Sequence, residues 1–237
     1  AMTIKFGAIQ SGLVQFPGSN CDADCVDAFK RLFQIDLKLI WHEETALPSR
    51  LDGLILPGGF SYGDYLRSGA LASLSPIMQA VKAFAAKGGS VIGICNGFQV
   101  LTESKLLPGT LLKNDHRQFI CEYAQLAVAN GSSVYHRKLK GGLYKVPIAH
   151  GEGRYYVDAE GLKMLEAKGQ ILFQYAGTDG QLSVDSNPNG AVSHIAGIVS
   201  ENGRILGMMP HPERASSELL GSVAGKSILE AFLETVG

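Results

Sequence analysis

The segment Gly93-Ile94-Cys95-Asn96-Gly97 sets a thiol between glycines two residues before and two residues after it. This is the spacing of a nucleophile elbow, in which a strand turns abruptly into a helix and forces an unfavourable backbone angle on the nucleophile. The glycines relieve the crowding. The sulfur then stands above the sheet, where the helix N-terminus favours negative charge and the Asn96 amide is offered to an oxyanion. The pattern also fits a buried cysteine at a strand end beside two structural glycines.

A thiol nucleophile needs a base within reach and a group that orients the base. Of the six histidines, only His211 sits at the end of an expected strand in a constrained segment, Met208-Met209-Pro210-His211-Pro212-Glu213. Pro212 biases His211 toward extended geometry. Alternation then puts His211 and Glu213 on one side, so that the carboxylate holds one ring nitrogen and the other faces the sulfur. The plainer reading is a proline-rich turn with Glu213 at a helix N-terminus.

Leu56-Pro57-Gly58-Gly59-Phe60-Ser61-Tyr62-Gly63-Asp64 follows another apolar strand. Its glycine pair lets backbone amides approach a ligand, which suits a second oxyanion donor opposite Asn96. A phosphate cradle is the rival, but the G-K-S/T ending of a P-loop and the Rossmann G-x-G-x-x-G are both missing. His150, within Ala149-His150-Gly151-Glu152-Gly153, lies in a glycine-flanked turn that either lines a pocket or is a decorated β-turn. His42, His116, His136 and His194 lack metal-ligand spacing and read as surface or satisfied core residues. Cys21 and Cys25, four apart without the C-x-x-C spacing, read as structural. No metal site is expected.

These residues need a scaffold. Apolar runs of four to six residues alternate with helical stretches, the signature of βα units around a mostly parallel sheet with helices on both faces. Expected strands are Leu13 to Phe16, Asp36 to Trp41, Gly53 to Leu56, Ser90 to Ile94, Ile195 to Val199 and Ile205 to Met209. A first helix is expected from a cap at Ser19 or Asn20 to Phe33, with Asp22 and Asp24 favourable in its first turn. A second runs from Ser68 to Lys87 and breaks near Pro76, a third starts just after Cys95, and a last spans Ser222 to Thr235. From about Phe119 to Ser193 the chain reads as a β-rich insertion, with strands such as Tyr123 to Val128 and Tyr144 to Ile148. Turn signals at Asn130-Gly131 and Asn187-Pro188-Asn189-Gly190 suit antiparallel connections. One domain over residues 2–237 is the simplest organisation, with Ala1 ahead of Met2 set aside as an added residue.

Composition narrows the function classes. Lysine plus arginine number 21 against 22 acidic residues with no long block of one sign, which disfavours a charge-driven nucleic-acid or membrane binder. No apolar run is long enough for a membrane helix, and the start of the chain lacks a secretory pattern. Four irregularly spaced cysteines suit reduced thiols and a cytoplasmic setting.

Taken together, Phe16 to Asp22, Trp41 to Thr45, Leu56 to Arg67, Gly93 to Gln99, Ala149 to Gly153 and Gly207 to Arg214 resemble the glutaminase subunit of phosphoribosylformylglycinamidine synthase, in the triad glutamine amidotransferase family. G-x-C-x-G with a later H-x-E marks the broad group, whereas C-N-G-F-Q, P-G-G-F-S-Y-G-D and A-H-G-E-G are narrower. The resemblance implies a flavodoxin-like amidotransferase fold. It also implies Cys95, His211 and Glu213 as the triad, backbone oxyanion donors at Gly59 or Phe60 and at Asn96, and a glutamine pocket around Gly58, Gln99, His150, Gly151 and Glu152. L-glutamine would be hydrolysed through a cysteinyl thioester. The ammonia would pass to a large synthetase subunit, which holds ATP and magnesium and acts on formylglycinamide ribonucleotide, with a small accessory subunit beside it and no cofactor in this chain. The docking face would be the rim at the carboxyl ends of the strands. One departure is that the stretch ahead of Phe16 reads as several residues longer than the family's usual start, with Gln10-Ser11-Gly12 interrupting the apolar run. The competing expectations are a free-standing γ-glutamyl hydrolase, which keeps the triad without partners, and a silent binding module, which a missing triad member would reveal.

Overall fold

A computed structural model describes residues 6–64 and 66–236. Ala1 and the limits of the expected 2–237 domain lie outside the described residues. In chain order the elements are β1 (Ser11–Gln15), α1 (Asp22–Phe33), β2 (Lys38–Trp41), β3 (Gly53–Leu56), α2 (Ala70–Ser73), α3 (Ile77–Ala86), β4 (Ser90–Ile94) and α4 (Asn96–Glu103). There follow β5 (Thr110–Leu112), β6 (Ile120–Val128), α5 (Val134–Leu139), β7 (Leu143–His150), β8 (Arg154–Tyr156), α6 (Ala159–Ala167), β9 (Ile171–Ala176), β10 (Ile195–Val199), β11 (Ile205–Met208) and α7 (Ala224–Glu234).

Nine strands form one mixed sheet in the order β2-β1-β3-β4-β11-β10-β9-β6-β7. The half from β2 to β11 is parallel, and its central strands β3, β4 and β11 are buried at every position, as continuous apolar runs covered on both faces must be. The pleat shows the two covers. A side chain at Gly53 would meet Phe232 of α7, whereas Leu56, three residues on and so on the opposite face, lies against Gly97 of α4. The middle of the chain is β-rich as expected. Its strands β6, β7 and β9 join β10 in extending the same sheet antiparallel, while β5 and β8 pair apart from it.

Several local expectations are corrected. The first strand begins at Ser11, because Ser11 is buried and Gly12 admits the Ile40 side chain against its backbone, so the small polar pair is strand rather than interruption. Neither Ser19 nor Asn20 caps α1. Cys21 holds that position without a side-chain cap, since Ser19 and Asn20 are packed against Gly59 of the next loop. Asn130-Gly131 leads into α5 rather than closing a hairpin. The break near Pro76 is real and separates α2 from α3. The last helix starts at Ala224 rather than Ser222; Ile228, Ala231 and Phe232 are buried, whereas Val223 lies ahead of the helix and is exposed.

Candidate active site

Strands β3, β4 and β11 are adjacent and parallel, so the loops that follow them emerge at one end of the sheet. Cys95 directly follows β4. Its φ of 51° and ψ of −107° lie where a non-glycine residue is strained, and the strain is held by its amide donating to Met208 O at 2.7 Å and by Phe98 and Gln99 amides donating to its carbonyl. The flanking glycines are explained by contact: a side chain at Gly97 would run into Leu56 O, and one at Gly93 would stand 2.7 Å from Gly97 O. The thiol is 5% exposed, and its sulfur lies 3.7 Å from Ala149 O.

His211 and Glu213 follow β11 and are buried. The His211 Nδ1–H donates to Glu213 Oε1 at 2.6 Å, and the His211 amide donates to Pro147 O at 2.8 Å, so ring and backbone are both fixed. Nε2 is left without a hydrogen-bond partner. Burial by itself disfavours the protonated ring, but the charges of Glu213 and Cys95 outweigh it and raise the His211 pKa to about 10. Gly58 stands between the groups: a Cβ there would lie 2.8 Å from His211 Cε1, 3.3 Å from Cys21 Sγ and 3.4 Å from Cys95 Cβ. The three groups therefore surround a space that a single methyl would fill.

Cys21 thus sits beside the histidine, a location that its sequence neighbours do not suggest. Cys21, His211 and Glu213 offer ligand atoms within 4.8 Å of one another, but Arg214 Nη2 donates to Cys21 Sγ at 3.1 Å and brings a positive charge to the place. Burial, then the Glu213 carboxylate, push the Cys21 pKa up to about 12 against the opposing pull of Arg214.

The loop after β3 forms the near wall. The Phe60 amide donates to Gly18 O at 3.2 Å and the Tyr62 amide to Pro17 O at 2.6 Å, so the Pro17 to Asn20 segment buttresses this loop from behind. The Gly59 and Asn96 amides have no acceptor among the described residues. Tyr62, Asp64 and Leu66 all have positive φ, at 54°, 54° and 68°. The Tyr62 hydroxyl is anchored to His42 Nδ1 at 2.8 Å and lies 3.1 Å from Ser75 Oγ. Asn96 ties wall to helix: its Oδ1 accepts from the Ser61 amide and its Nδ2 donates to Gln99 Oε1 at 2.8 Å.

The far wall comes from β7, whose end folds back over the site. Gln99 Nε2 donates to Glu152 O at 2.6 Å. His150 accepts its place from Asn114, which donates to His150 O and to Gln118 O and accepts from the Gly153 amide. Since Asn114 Oδ1 is an acceptor, His150 donates to it through Nδ1 at 3.1 Å and leaves Nε2 as a bare acceptor, buried and without a partner. Burial first, and the charge of His211 second, lower the His150 pKa to about 4. Asn114 escapes a reading of the sequence because no motif surrounds it. The cavity between the walls measures about 140 Å³ and is lined by Gly59, Asp64, Cys95, Gln99, His150 and Glu152, with the half-exposed rings of Phe60 and Phe119 at its margin. Of the remaining histidines, His136 is buried between Ser133 Oγ and Ile171 O, His116 is exposed and bonded to Pro188 O, and His194 is half-buried with an unpartnered Nδ1.

The profile of the CobB/CobQ-like glutamine amidotransferase domain matches residues 11–230. A phosphoribosylformylglycinamidine synthase subunit PurQ from Salinibacter ruber is 50% identical over 226 residues, covering 95% of this chain and 96% of that protein. The chain belongs to the PurQ family of glutamine amidotransferases. A further PurQ subunit, from Aquifex aeolicus, is 52% identical over 92% of this chain and 96% of its own length. In the structure of PurLQS from Thermotoga maritima, one chain superposes with a TM-score of 0.82 at 36% identity, covering 95% of this chain and 98% of that one. A glutamine amidotransferase of Thermotoga maritima, 14% identical, shares the fold at a TM-score of 0.58 over 95% of this chain and 96% of its own. The amidotransferase family expected from the Cys95 and His211 motifs is therefore the family found. Among the described residues no helix is long and apolar enough to cross a membrane.

Proposed function

We propose that residues 2–237 act as one amidotransferase unit, the cytoplasmic glutaminase subunit of phosphoribosylformylglycinamidine synthase. The observation that carries the reading is the buried His211–Glu213 pair at 2.6 Å, with Nε2 unbonded and the ring set across the space at Gly58 from Cys95, which stands on a strained strand-to-helix turn. In this reading Cys95 Sγ attacks the side-chain carbonyl carbon of L-glutamine. The charge that develops on the carbonyl oxygen is met by the Gly59 and Asn96 amides, with Phe60 shaping their loop. His211 carries the proton released by the thiol and passes it to the amide nitrogen as the C–N bond breaks and ammonia leaves. The γ-glutamyl thioester remains. His211 then removes a proton from water, hydroxide attacks the thioester, and glutamate departs with regeneration of the thiol. Glu213 holds the ring in the tautomer both steps need. Gly58 keeps clear the space between sulfur and imidazole, and Gln99, His150, Gly151 and Glu152 shape the pocket.

The ammonia is used in a large synthetase subunit that converts formylglycinamide ribonucleotide to formylglycinamidine ribonucleotide with ATP and magnesium, and a small accessory subunit completes the complex. The likeness of this chain to one chain of the PurLQS structure supports its assembly with other subunits. The rim at the carboxyl ends of β3, β4 and β11, where the cavity opens, is the docking face.

The test is mass spectrometry of the intact chain, alone and with its large subunit, after exposure to a diazo-ketone analogue of glutamine. A single adduct on Cys95, blocked by excess glutamine and absent in Cys95→Ala, is expected. Modification confined to Cys21, Cys25 or Cys121 in both preparations, indifferent to glutamine, refutes the reading.

A further inference from the structure

The loop after β3 is tied to the body of the molecule at Tyr62. Tyr62, Asp64 and Leu66 hold φ of 54°, 54° and 68°, a conformation that side chains resist and that persists only where the surroundings over-determine it. At Tyr62 that support comes from segments distant in sequence. Its hydroxyl shares a hydrogen bond with His42 Nδ1 at 2.8 Å and lies 3.1 Å from Ser75 Oγ, and the two rings meet edge to face with centroids 5.6 Å apart. His42 and Ser75 are buried. His42 is fixed through its backbone as well: its amide donates to Gln15 O at 3.0 Å, and its carbonyl accepts from the Ile77 amide at 3.2 Å. The end of β2, the loop after β3 and the link between α2 and α3 therefore converge on one phenol.

A second observation concerns what the loop carries. Gly58 and Gly59 have no side chains to fix the peptide between them, and a glycine pair rotates freely unless its neighbours hold it. The Gly59 amide has no acceptor among the described residues. The hold comes from the residues that follow, because the Gly63 amide donates to Phe60 O at 2.8 Å and closes a turn that contains Tyr62. Where Tyr62 is pinned, the Phe60 carbonyl is placed, and with it the glycine pair.

We infer that His42, Tyr62 and Ser75 are positioning residues for the reaction: their hydrogen bonds hold the loop after β3 so that the Gly59 amide stays aimed at the carbonyl oxygen of the substrate. The inference rests on the glutaminase reading above and adds to it the groups that keep an oxyanion donor in place. None of the three lines the cavity. Their loss therefore spares the binding of glutamine and penalises states in which the carbonyl oxygen gathers charge.

The experiment measures kcat and KM for glutamine, and inhibition by glutamate γ-semialdehyde, with the full chain assembled with its large subunit. The Cys95 thiol adds across the aldehyde, sulfur bonding to carbon and the proton passing to oxygen, so the inhibitor sets a tetrahedral carbon and its oxygen where the oxyanion forms. Tyr62→Phe is expected to lower kcat by about 10- to 100-fold, between the effect of one lost hydrogen bond and that of a lost oxyanion donor. KM should stay within about twofold, and the semialdehyde should bind more weakly by the same factor as kcat falls. His42→Ala should match Tyr62→Phe, whereas His42→Asn, whose amide can still meet the phenol, should recover most of the loss. Ser75→Ala and His42→Asn carry the same comparison where Tyr62→Phe folds poorly. Wild-type kcat in these variants, a loss expressed in KM, or a fall in kcat with semialdehyde inhibition unchanged overturns the inference and leaves the glutaminase reading intact. No hydrolysis of glutamine by the wild-type complex overturns that reading and the inference with it.

Discussion

Alanine at Gly58 is the smallest change that tests whether the space between Cys95 and His211 is what the chain protects. Gly58 has no left-handed φ, so alanine meets no backbone penalty there. Its Cβ would lie 2.8 Å from His211 Cε1, whereas carbon atoms rest about 3.5–4.0 Å apart, so the ring must retreat by about 0.7–1.2 Å. It has nowhere to go without loosening Nδ1 from Glu213 or the backbone from Pro147. A misplacement near 1 Å costs on the order of 100-fold in rate, while the added methyl costs the fold about 1–3 kcal/mol. Gly58→Ala should therefore melt as a folded protein, at a temperature modestly below wild type, and hydrolyse glutamine about 100-fold more slowly when assembled with its large subunit. Turnover within about threefold of wild type in a cooperatively folded variant would falsify the idea that this gap is tuned.

Two further perturbations read the supports of the site. Glu213→Gln should lower kcat by about 10²–10⁴-fold, the span of general acid–base assistance, in steady-state assays. The His211 pKa is raised from 6.5 to about 10, so its pairing with Glu213 stabilises the fold fully below pH 6.5 and loses that contribution as pH climbs toward 10. The melting-temperature gap between wild type and Glu213→Gln should therefore narrow from pH 6 to pH 10, and a gap that widens contradicts the assignment. Asn114→Ala strands the Gly153 amide and His150 Nδ1. It should cost about 1–3 kcal/mol in denaturant unfolding and raise the KM for glutamine well before it affects kcat.

What the sequence disclosed about this molecule follows from how local each demand is. Gly93 and Gly97 are legible because the elbow's crowding acts at fixed offsets from Cys95, and each glycine answers a contact within its own turn or the adjoining strand. The strands β3, β4 and β10 are legible end to end because burial on both faces leaves an unbroken apolar run. β5 and β8 are three residues each and carry too little pattern to stand out. The cap of α1 misleads for another reason: Ser19 and Asn20 have the right chemistry for a cap but are committed to a neighbouring loop. Non-local partnerships leave no trace in spacing. The service of Asn114 to His150, the position of Cys21 beside His211 and the shared cavity of Asp64 and Glu152 all join segments far apart in the chain.

The strand that leads into His211 is the last of the described strands. β11 lies in the middle of the sheet, bonded to β4 on one side and β10 on the other, yet only α7 follows it among the regular elements. Cys95 therefore meets His211 only once β11, made after both β4 and β10, is paired with the two of them. A chain that stops short of β11 therefore holds Cys95 without His211. In the proposed mechanism such a chain lacks its base, so hydrolysis of glutamine requires the completed sheet.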